Sequence, residues 1–274
     1  MKKALVLSGG GSKGSMQFGI LRYVSEQGYK PDVVYGTSVG SLNAAGLSHV
    51  GIEGLEEVWK SLRKSSDVFS FNWKFLLVFV AAGLYNANPL RRLLEKTLKG
   101  KAPILPAYCC KVHLETGEIK YVSNSEADYI ESTVASCSVP GFNDDINGWV
   151  DGGVREQTPL KQAILDGADE ITVILCNPLR TNPDFGKKGN WIKNILRTID
   201  LLAHETFLND IQNCIWYNNN AQPGKRNIKL TVYAPRELVI GSNDFTQDKI
   251  QPAIAYGHEQ GKLGPISLEE IEKL

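Results

Sequence analysis

The chain opens with a short, unbroken run of apolar residues that stops at a cluster of glycines. This run covers residues 4–7, and an apolar stretch without polar alternation is typical of a strand buried on both faces of a parallel sheet. Beyond the glycines, Met16, Ile20 and Val24 recur at helical spacing until Gly28. We therefore predict a strand, a glycine-rich loop and a helix.

A second predicted strand and a second predicted helix follow directly. Residues 32–35 form a second short strand pattern, and an alanine- and leucine-rich helix is predicted from Ser38 to near Gly51. Two strands with a helix between them imply a parallel sheet with a right-handed crossover. The glycine loop and Ser38 would then follow the carboxyl ends of neighbouring strands, where open α/β sheets generally bind ligands.

The rest of the chain keeps to strand and helix patterns. Asn88 and Pro89 form an N-cap and first-turn pair for a helix that Gly100 closes. Residues 108–114 and 118–122 are predicted to pair as a hairpin. Further predicted elements are a helix at 127–137, strands at 149–150 and 171–176, and a long helix at 191–217 packed on the sheet.

Length and charge are those of a globular α/β protein. With 274 residues, 42% of them hydrophobic, the chain can fill a substantial core. No linker composition or fixed repeat divides it, so residues 1–274 are predicted to form a single domain. Its 30 basic and 30 acidic side chains balance, which argues against nucleic acid as a partner and leaves any membrane contact to a local surface.

Several features bear on where the protein works. The five cysteines have no regular spacing, which favours a reducing compartment, and the first apolar run is too short for a signal peptide. We therefore expect a cytoplasmic protein. The apolar run at 75–84, next to Trp73, is about half of the ~20 residues of a spanning helix. We favour a buried core helix there; the alternative is an interfacial segment or pocket cover that would make the protein peripheral at a membrane.

A serine between a predicted strand and a predicted helix carries the first chemical signal. The motif Gly36-Thr37-Ser38-Val39-Gly40 matches Gly-x-Ser-x-Gly, which in this context forms a nucleophile elbow. Gly36 and Gly40 leave room for the adjacent strand and helix, and a strained backbone presents the Ser38 hydroxyl to the cleft. The competing interpretation is an ordinary glycine-serine turn.

A serine hydroxyl needs a base to remove its proton, and Asp151 is the best candidate. It stands at the end of a predicted strand, and Gly152 and Gly153 let the backbone turn away so that the carboxylate can project toward Ser38. An isolated Asp-Gly-Gly more often forms an Asx turn that caps its own loop. The pattern leaves both interpretations open.

The glycine cluster offers backbone amides to a developing oxyanion. Gly9, Gly10 and Gly11 lack side chains and can approach a tetrahedral intermediate closely. The helix that begins near Gly14 points its positive end the same way, and Lys13 either anchors the loop or adds charge. The residues also satisfy the Gly-x-Gly-x-x-Gly dinucleotide pattern, but the second strand leads into the serine motif instead of the acidic residue that would hold a ribose.

Four ordered motifs resemble those of the patatin-like phospholipases. They are Gly9-Gly10-Gly11-Ser12-Lys13-Gly14, Gly36-Thr37-Ser38-Val39-Gly40, Ala135-Ser136-Cys137-Ser138-Val139-Pro140 and Asp151-Gly152-Gly153. The family often has an apolar residue where Ser12 stands. The resemblance implies a three-layer α/β/α fold with a mainly parallel central sheet. It also implies a phospholipase A-type hydrolase in which a Ser38–Asp151 dyad cleaves fatty acyl esters of phospholipids or other lipids through an acyl-enzyme, without a cofactor.

Alternatives stay open beside this resemblance. An α/β-hydrolase-like esterase would use Ser38 and Asp151 with His204 or His258, although both histidines lie in predicted helices. A nonenzymatic lipid-binding or nucleotide-binding protein could also keep this scaffold. The histidines and cysteines show no metal-ligand spacing, so no metal is expected.

Overall fold

The structure is a computed structural model that describes residues 1–72, 83–180, 191–220 and 227–273. The apolar run predicted as a core helix or an interfacial segment lies outside the described residues, apart from its last two positions. The strands are β1 (Lys3–Leu7), β2 (Val33–Thr37), β3 (Ser70–Phe71), β4 (Tyr85–Asn86), β5 (Ala107–His113), β6 (Ile119–Ser123), β7 (Trp149–Asp151), β8 (Glu170–Ile174) and β9 (Lys229–Tyr233). The helices are α1 (Gly14–Glu26), α2 (Val39–Ser61), α3 (Asn88–Leu98), α4 (Tyr129–Ser136), α5 (Leu160–Leu165), α6 (Trp191–Asn219), α7 (Gln247–Lys262) and α8 (Leu268–Glu272).

The central sheet is mainly parallel. Its strands follow the order β6-β5-β2-β1-β8-β9, with β7 paired to β5, and β3 and β4 form a separate antiparallel pair. The pairs β5-β2, β2-β1, β1-β8 and β8-β9 are parallel. The predicted hairpin β5-β6 and the short β7 are antiparallel additions to β5.

Helices cover both faces of this sheet. Leu5 and Leu7 of β1 belong to a core shared with α1, α2, α3, α4 and α7. Ala4 and Val6, which point to the other face because side chains alternate along a strand, join a core with α5, α6 and α8. The three-layer α/β/α fold predicted from the sequence is therefore confirmed, and the long helix α6 packs on the sheet as expected.

Three predicted boundaries change for identifiable reasons. The helix expected to end near Gly51 breaks there, with φ 69° and ψ −172°, and then resumes to the end of α2. The β2 strand extends to Thr37, beyond the predicted end, because its last two residues pair with β5. The N-cap assignment of Asn88 is wrong by one residue: Ala87 holds that position, and the Asn86 side chain accepts the Asn88 amide at 3.2 Å.

Two further observations concern the thiols and the helices. All five cysteines are buried and carry free thiols. Within the described ranges, no helix combines the length and apolar character that crossing a bilayer requires.

Candidate active site

Ser38 occupies a sharp turn between β2 and α2. Its backbone has φ 54° and ψ −127°, a left-handed conformation that a residue with a side chain adopts only under strain. The flanking glycines allow close contacts: a Cβ at Gly36 would lie 2.3 Å from the Gly40 carbonyl oxygen, and one at Gly40 would lie 2.2 Å from the Leu7 carbonyl oxygen. The turn therefore has the geometry of a nucleophile elbow.

A pair of buried serines supports this turn. The Ser38 backbone amide donates to the Ser136 hydroxyl oxygen at 3.0 Å, and that hydroxyl lies 2.8 Å from the Ser41 hydroxyl. Ser41 in turn donates to the Gly36 carbonyl at 2.8 Å. The motif at 135–140 thus helps to hold the strained residue.

Asp151 lies at the end of β7 beside Ser38. Its backbone amide donates to the Ser138 carbonyl at 2.9 Å. Its carboxylate accepts the Gly153 amide at 2.7 Å, and it lines the same cleft as Ser38, close enough for the Ser38 side chain to influence its pKa. The two interpretations of Asp-Gly-Gly are therefore not exclusive, because one carboxylate makes the Asx-type contact and faces the serine. Gly152 is required by packing, since a Cβ there would lie 2.5 Å from the Cys110 carbonyl oxygen.

Burial changes the acidity of this carboxylate. The Asp151 side chain is buried, and the loss of hydration raises its pKa from 3.8 to about 6. The nearby Ser38 side chain and the hydrogen bond from the Gly153 amide favour the charged form and oppose the rise in pKa. A carboxylate with a pKa near neutrality can both accept and return a proton at physiological pH.

The three glycines of the loop differ in what their backbones contact. The Gly9 amide donates to the Gln157 carbonyl at 3.1 Å, so this amide is already engaged. Gly10 and Gly11 line the same cleft as Ser38. Gly11 adopts φ +61°, and a Cβ there would lie 2.1 Å from the Ser242 carbonyl oxygen. Of the three amides that the sequence suggested as donors to an oxyanion, those of Gly10 and Gly11 remain candidates.

Lys13 and Gly14 hold this loop in place. The buried Lys13 ammonium donates to the Asn177 side-chain oxygen at 2.6 Å, which ties the loop to the segment after β8. A Cβ at Gly14 would lie 2.3 Å from Val39 Cγ2, so the start of α1 packs directly on the start of α2. The anchoring interpretation of Lys13 fits these contacts.

Ser12 links the glycine loop to the last third of the chain. Its backbone amide donates to the Ser242 carbonyl at 2.9 Å. Its hydroxyl donates to the Gly241 carbonyl and accepts the Asp244 amide, the latter at 2.9 Å. A buried serine at this position, where the family often has an apolar residue, therefore fixes the loop at 241–245 against the cleft.

The cleft beside Ser38 and Asp151 has a volume of about 350 Å³. Apolar side chains supply much of its wall, among them Leu42, Val68, Phe69, Pro140, Phe142 and Phe245. Sequence patterns missed Gln157, Ser242, Asn243 and Phe245, which also line it. No motif could have found them, because they are ordinary loop residues that only the fold brings to the cleft.

The two candidate histidines lie away from the cleft. His258 Nε2 lies 2.7 Å from a Glu26 carboxylate oxygen, and His204 lines a separate small cavity with Asn177 and Phe207. No histidine occurs among the described residues that line the cleft. In the part of the chain that the structure covers, no three His, Cys, Asp or Glu residues are grouped to hold a metal ion.

Proteins of similar sequence fall into two groups. The uncharacterized protein YjjU of Escherichia coli (strain K12) is 26% identical over an alignment of 298 positions. The alignment covers 99% of this chain and 78% of YjjU. Lysophospholipase NTE1 of Mycosarcoma maydis and lysophospholipase nte1 of Neurospora crassa are 24% and 27% identical over 183 and 188 residues. These matches cover 64% and 65% of this chain, which spans only 10% and 12% of the two lysophospholipases.

Solved structures and a family model complete the comparison. VipD from Legionella pneumophila aligns with a TM-score of 0.46 at 12% identity, over 96% of this chain and 66% of VipD. The type III effector protein ExoU aligns with a TM-score of 0.41 at 14% identity, over 99% and 53%. The model of the patatin-like phospholipases matches residues 5–164, more than half of the 274 residues. The chain therefore belongs to the patatin-like phospholipase family.

Proposed function

We propose that this protein is a lipid acyl hydrolase of the phospholipase A type, with Ser38 as nucleophile and Asp151 as its base. The observation that carries the proposal is that the strained Ser38 and the buried Asp151 carboxylate line one largely apolar cleft, with the Ser38 side chain close enough to lower the pKa of that carboxylate. A nucleophile in contact with a base of suitable pKa is the arrangement that serine-dependent ester hydrolysis requires.

The first half of the reaction forms an acyl-enzyme. Ser38 Oγ attacks the ester carbonyl carbon while its proton passes to the Asp151 carboxylate. The carbonyl oxygen becomes an oxyanion, which the amides of Gly10 and Gly11 stabilise by hydrogen bonds. When the intermediate collapses, the bond to the alcohol breaks, and protonated Asp151 gives its proton to the leaving oxygen.

Water completes the cycle. It attacks the acyl carbonyl on Ser38 while Asp151 accepts a proton from it. Collapse of the second tetrahedral intermediate breaks the bond to Ser38 Oγ, which takes the proton back from Asp151, and the fatty acid leaves. The same carboxylate thus acts as base and acid in both halves, as microscopic reversibility requires.

The surroundings of the dyad support a lipid substrate. A cleft with a largely apolar wall suits a hydrocarbon chain, and two of the similar proteins are named lysophospholipases. Val154 and Leu202 line the cleft and are 55% and 65% exposed. Apolar side chains at the mouth of the cleft favour contact with a lipid surface, so we extend the proposal to a phospholipid substrate and a peripheral approach to membranes.

The geometry favours a dyad over a Ser-Asp-His triad. In a triad the imidazole lies between the serine and the carboxylate, whereas here Ser38 and Asp151 line the cleft together and the Ser38 side chain acts directly on the pKa of Asp151. His258 contacts Glu26, and His204 faces another cavity. A nonenzymatic lipid-binding role would leave the strain at Ser38 without a purpose.

Labelling with a fluorophosphonate probe tests the proposal directly. We expect the probe to modify Ser38, and Ser38→Ala and Asp151→Asn to lower the hydrolysis of phosphatidylcholine and of p-nitrophenyl esters by about 10³-fold or more. The controls His204→Ala and His258→Ala are expected to retain activity. Modification of another residue, or loss of activity in either histidine variant, would contradict the dyad.

A further inference from the structure

A second cavity lies next to the cleft, between α2 and α3. Its volume is about 50 Å³. Leu42, Val68 and Phe245 line both this cavity and the cleft, so they form the partition between the two spaces. An acyl chain that extends from the cleft on this side would pass between these three apolar side chains.

The second cavity extends away from Ser38 along α2. Leu42 follows Ser38 by one helical turn, and Gly46, which also lines the cavity, follows by about two. At 1.5 Å per residue, the distance from residue 38 to Gly46 along the helix axis is roughly 12 Å. The cavity therefore lies beyond the reacting end of a substrate, in the direction of the helix.

The break in α2 at Gly51 creates the far wall of this cavity. A Cβ at Gly46 would lie 2.6 Å from Leu55 Cδ1, although residues nine positions apart in a straight helix are roughly 13.5 Å apart along the axis. The chain thus turns back at Gly51 and places Leu55 and Trp59 opposite α3. Because Gly46 has no side chain, the two segments can approach closely.

The polar groups on the wall already have partners. Asn43 donates to the Gly14 carbonyl at 3.0 Å and to the Gln17 side chain at 2.9 Å, and its own oxygen accepts the Trp59 indole N–H at 2.9 Å. The Thr97 hydroxyl donates to the Leu93 carbonyl at 2.7 Å. The other lining side chains are apolar, so a ligand here meets only hydrocarbon surface and a cavity of this kind stays dry.

We propose that this second cavity, here called the tail pocket, receives the distal carbons of the acyl chain and thereby selects substrates by chain length. The inference rests on the proposed function, because it needs an acyl chain whose carbonyl lies at Ser38. The tail pocket has room for roughly four groups of the size of a water molecule or a methylene, at about 10–15 Å³ each.

The size of the tail pocket sets the expected selectivity. Each methylene that moves from water into an apolar site gains about 0.8 kcal/mol, which corresponds to about a fourfold rise in kcat/KM. Substrates whose acyl chains reach the tail pocket should therefore have a kcat/KM up to about 10²-fold higher than substrates whose acyl chains end at the partition. Acyl chains too long for the tail pocket should show no further rise in kcat/KM.

Variants of Leu94, which lines the tail pocket but not the cleft, test the assignment. The substrates are p-nitrophenyl esters from butyrate to palmitate. With Leu94→Phe, which fills the pocket, kcat/KM should fall by about tenfold or more for the longest preferred chain and stay unchanged for butyrate. With Leu94→Ala, which enlarges the pocket, the preferred chain should become longer. The control Lys96→Phe adds the same ring on the exposed face of α3 and should keep the wild-type profile.

The outcomes separate the two proposals. Retained butyrate hydrolysis shows that a variant is folded, and Leu94→Ala gives a result in the opposite direction even if Leu94→Phe does not fold. Leu94 variants that change kcat/KM by one common factor at every chain length would overturn the tail pocket and leave the hydrolase proposal intact. A wild-type protein that hydrolyses no ester in the series would instead overturn the hydrolase proposal itself.

Discussion

The Ser136 hydroxyl oxygen accepts a hydrogen bond from the Ser38 backbone amide at 3.0 Å, across 98 positions of sequence. Both groups lie close to the turn whose φ of 54° is strained, and Ser136 is fully buried. Strain of this kind persists only where the surroundings hold it in place. Ser136 therefore holds Ser38, the proposed nucleophile, in place through its backbone amide.

Replacing Ser136 by alanine should weaken both the fold and the elbow. A buried amide that loses its partner costs about 1–3 kcal/mol, so the free energy of unfolding of Ser136→Ala should fall by about this amount in urea titrations. We also expect kcat to fall by about tenfold, with KM less affected. Ser125→Ala, at an exposed site, is the control; equal stability and kcat in the two variants would exclude a positioning role.

The pKa of Asp151 predicts the acid side of the pH profile. The base must be ionised to accept the Ser38 proton, and its pKa lies at about 6. Activity should therefore rise tenfold per pH unit below pH 6 and level off above it. The measurement is kcat/KM for a short-chain ester between about pH 4.5 and 8. A plateau that persists down to pH 4.5 would show that burial does not raise this pKa or that another group is the base.

Local patterns were sufficient to predict the central fold and the sharp turn that carries Ser38. The apolar runs at β1 and β2, separated by a helix, fix two adjacent parallel strands because a short crossover allows few other arrangements. The motif around Ser38 needs only its own glycines and the following helix, so it can be found from five consecutive residues.

Interactions between distant segments could not be predicted in the same way. The residues around Asp151 suggested either a base that faces Ser38 or an Asx turn, but not that one carboxylate would accept the Gly153 amide and also lie beside Ser38. The Ser136 contact and the loop that carries Phe245 also depend on how remote loops meet at the sheet edge. A hydrogen bond from one side chain to a remote backbone leaves no periodic signal, so its partner appears only when the fold is known.

Removing the Ser12 hydroxyl should weaken the attachment of the glycine loop to the loop at 241–245, both of which line the cleft. Ser12 joins the glycine loop to Gly241 and Asp244, and the loss of both contacts in Ser12→Ala should reduce the free energy of unfolding by about 1–3 kcal/mol. We expect kcat/KM to fall as well, because Gly11 and Phe245 both line the cleft. The control is Ser65→Ala, which removes an exposed hydroxyl bonded to Asn243 in the same loop. A larger effect in the control would contradict this prediction.

Two carboxyl groups, one buried and one half-buried, lie close together apart from Ser38 and Asp151. Glu156 is buried after β7 and accepts the Tyr121 hydroxyl, while Asp210 approaches it from α6. Within the described residues, one oxygen of each carboxyl group has no hydrogen-bond partner. Burial first, and then the charge of Glu156, raises the pKa of Asp210 from 3.8 to about 7, against the opposing charge of Lys161.

The raised pKa of Asp210 predicts that the protein loses stability as pH rises toward neutrality. Between about pH 4 and 7 the folded protein holds a proton on Asp210 that the unfolded chain has released, so the free energy of unfolding should fall as pH increases. Asp210→Asn keeps the shape without the charge and should be more stable than the wild type at pH 8 by about 1–3 kcal/mol, allowing for partial exposure of the group.

Urea titrations at pH 5 and pH 8 measure this difference, and Glu205→Gln supplies the control because it neutralises an exposed carboxylate on the same helix. The difference in stability between Asp210→Asn and the wild type should shrink toward pH 5, where the native carboxyl is already protonated. The control should change little at either pH, since charges in solvent contribute weakly. An Asp210→Asn protein that is less stable than the wild type at pH 8 would mean that the ionised carboxylate is stabilised by a cation or a donor.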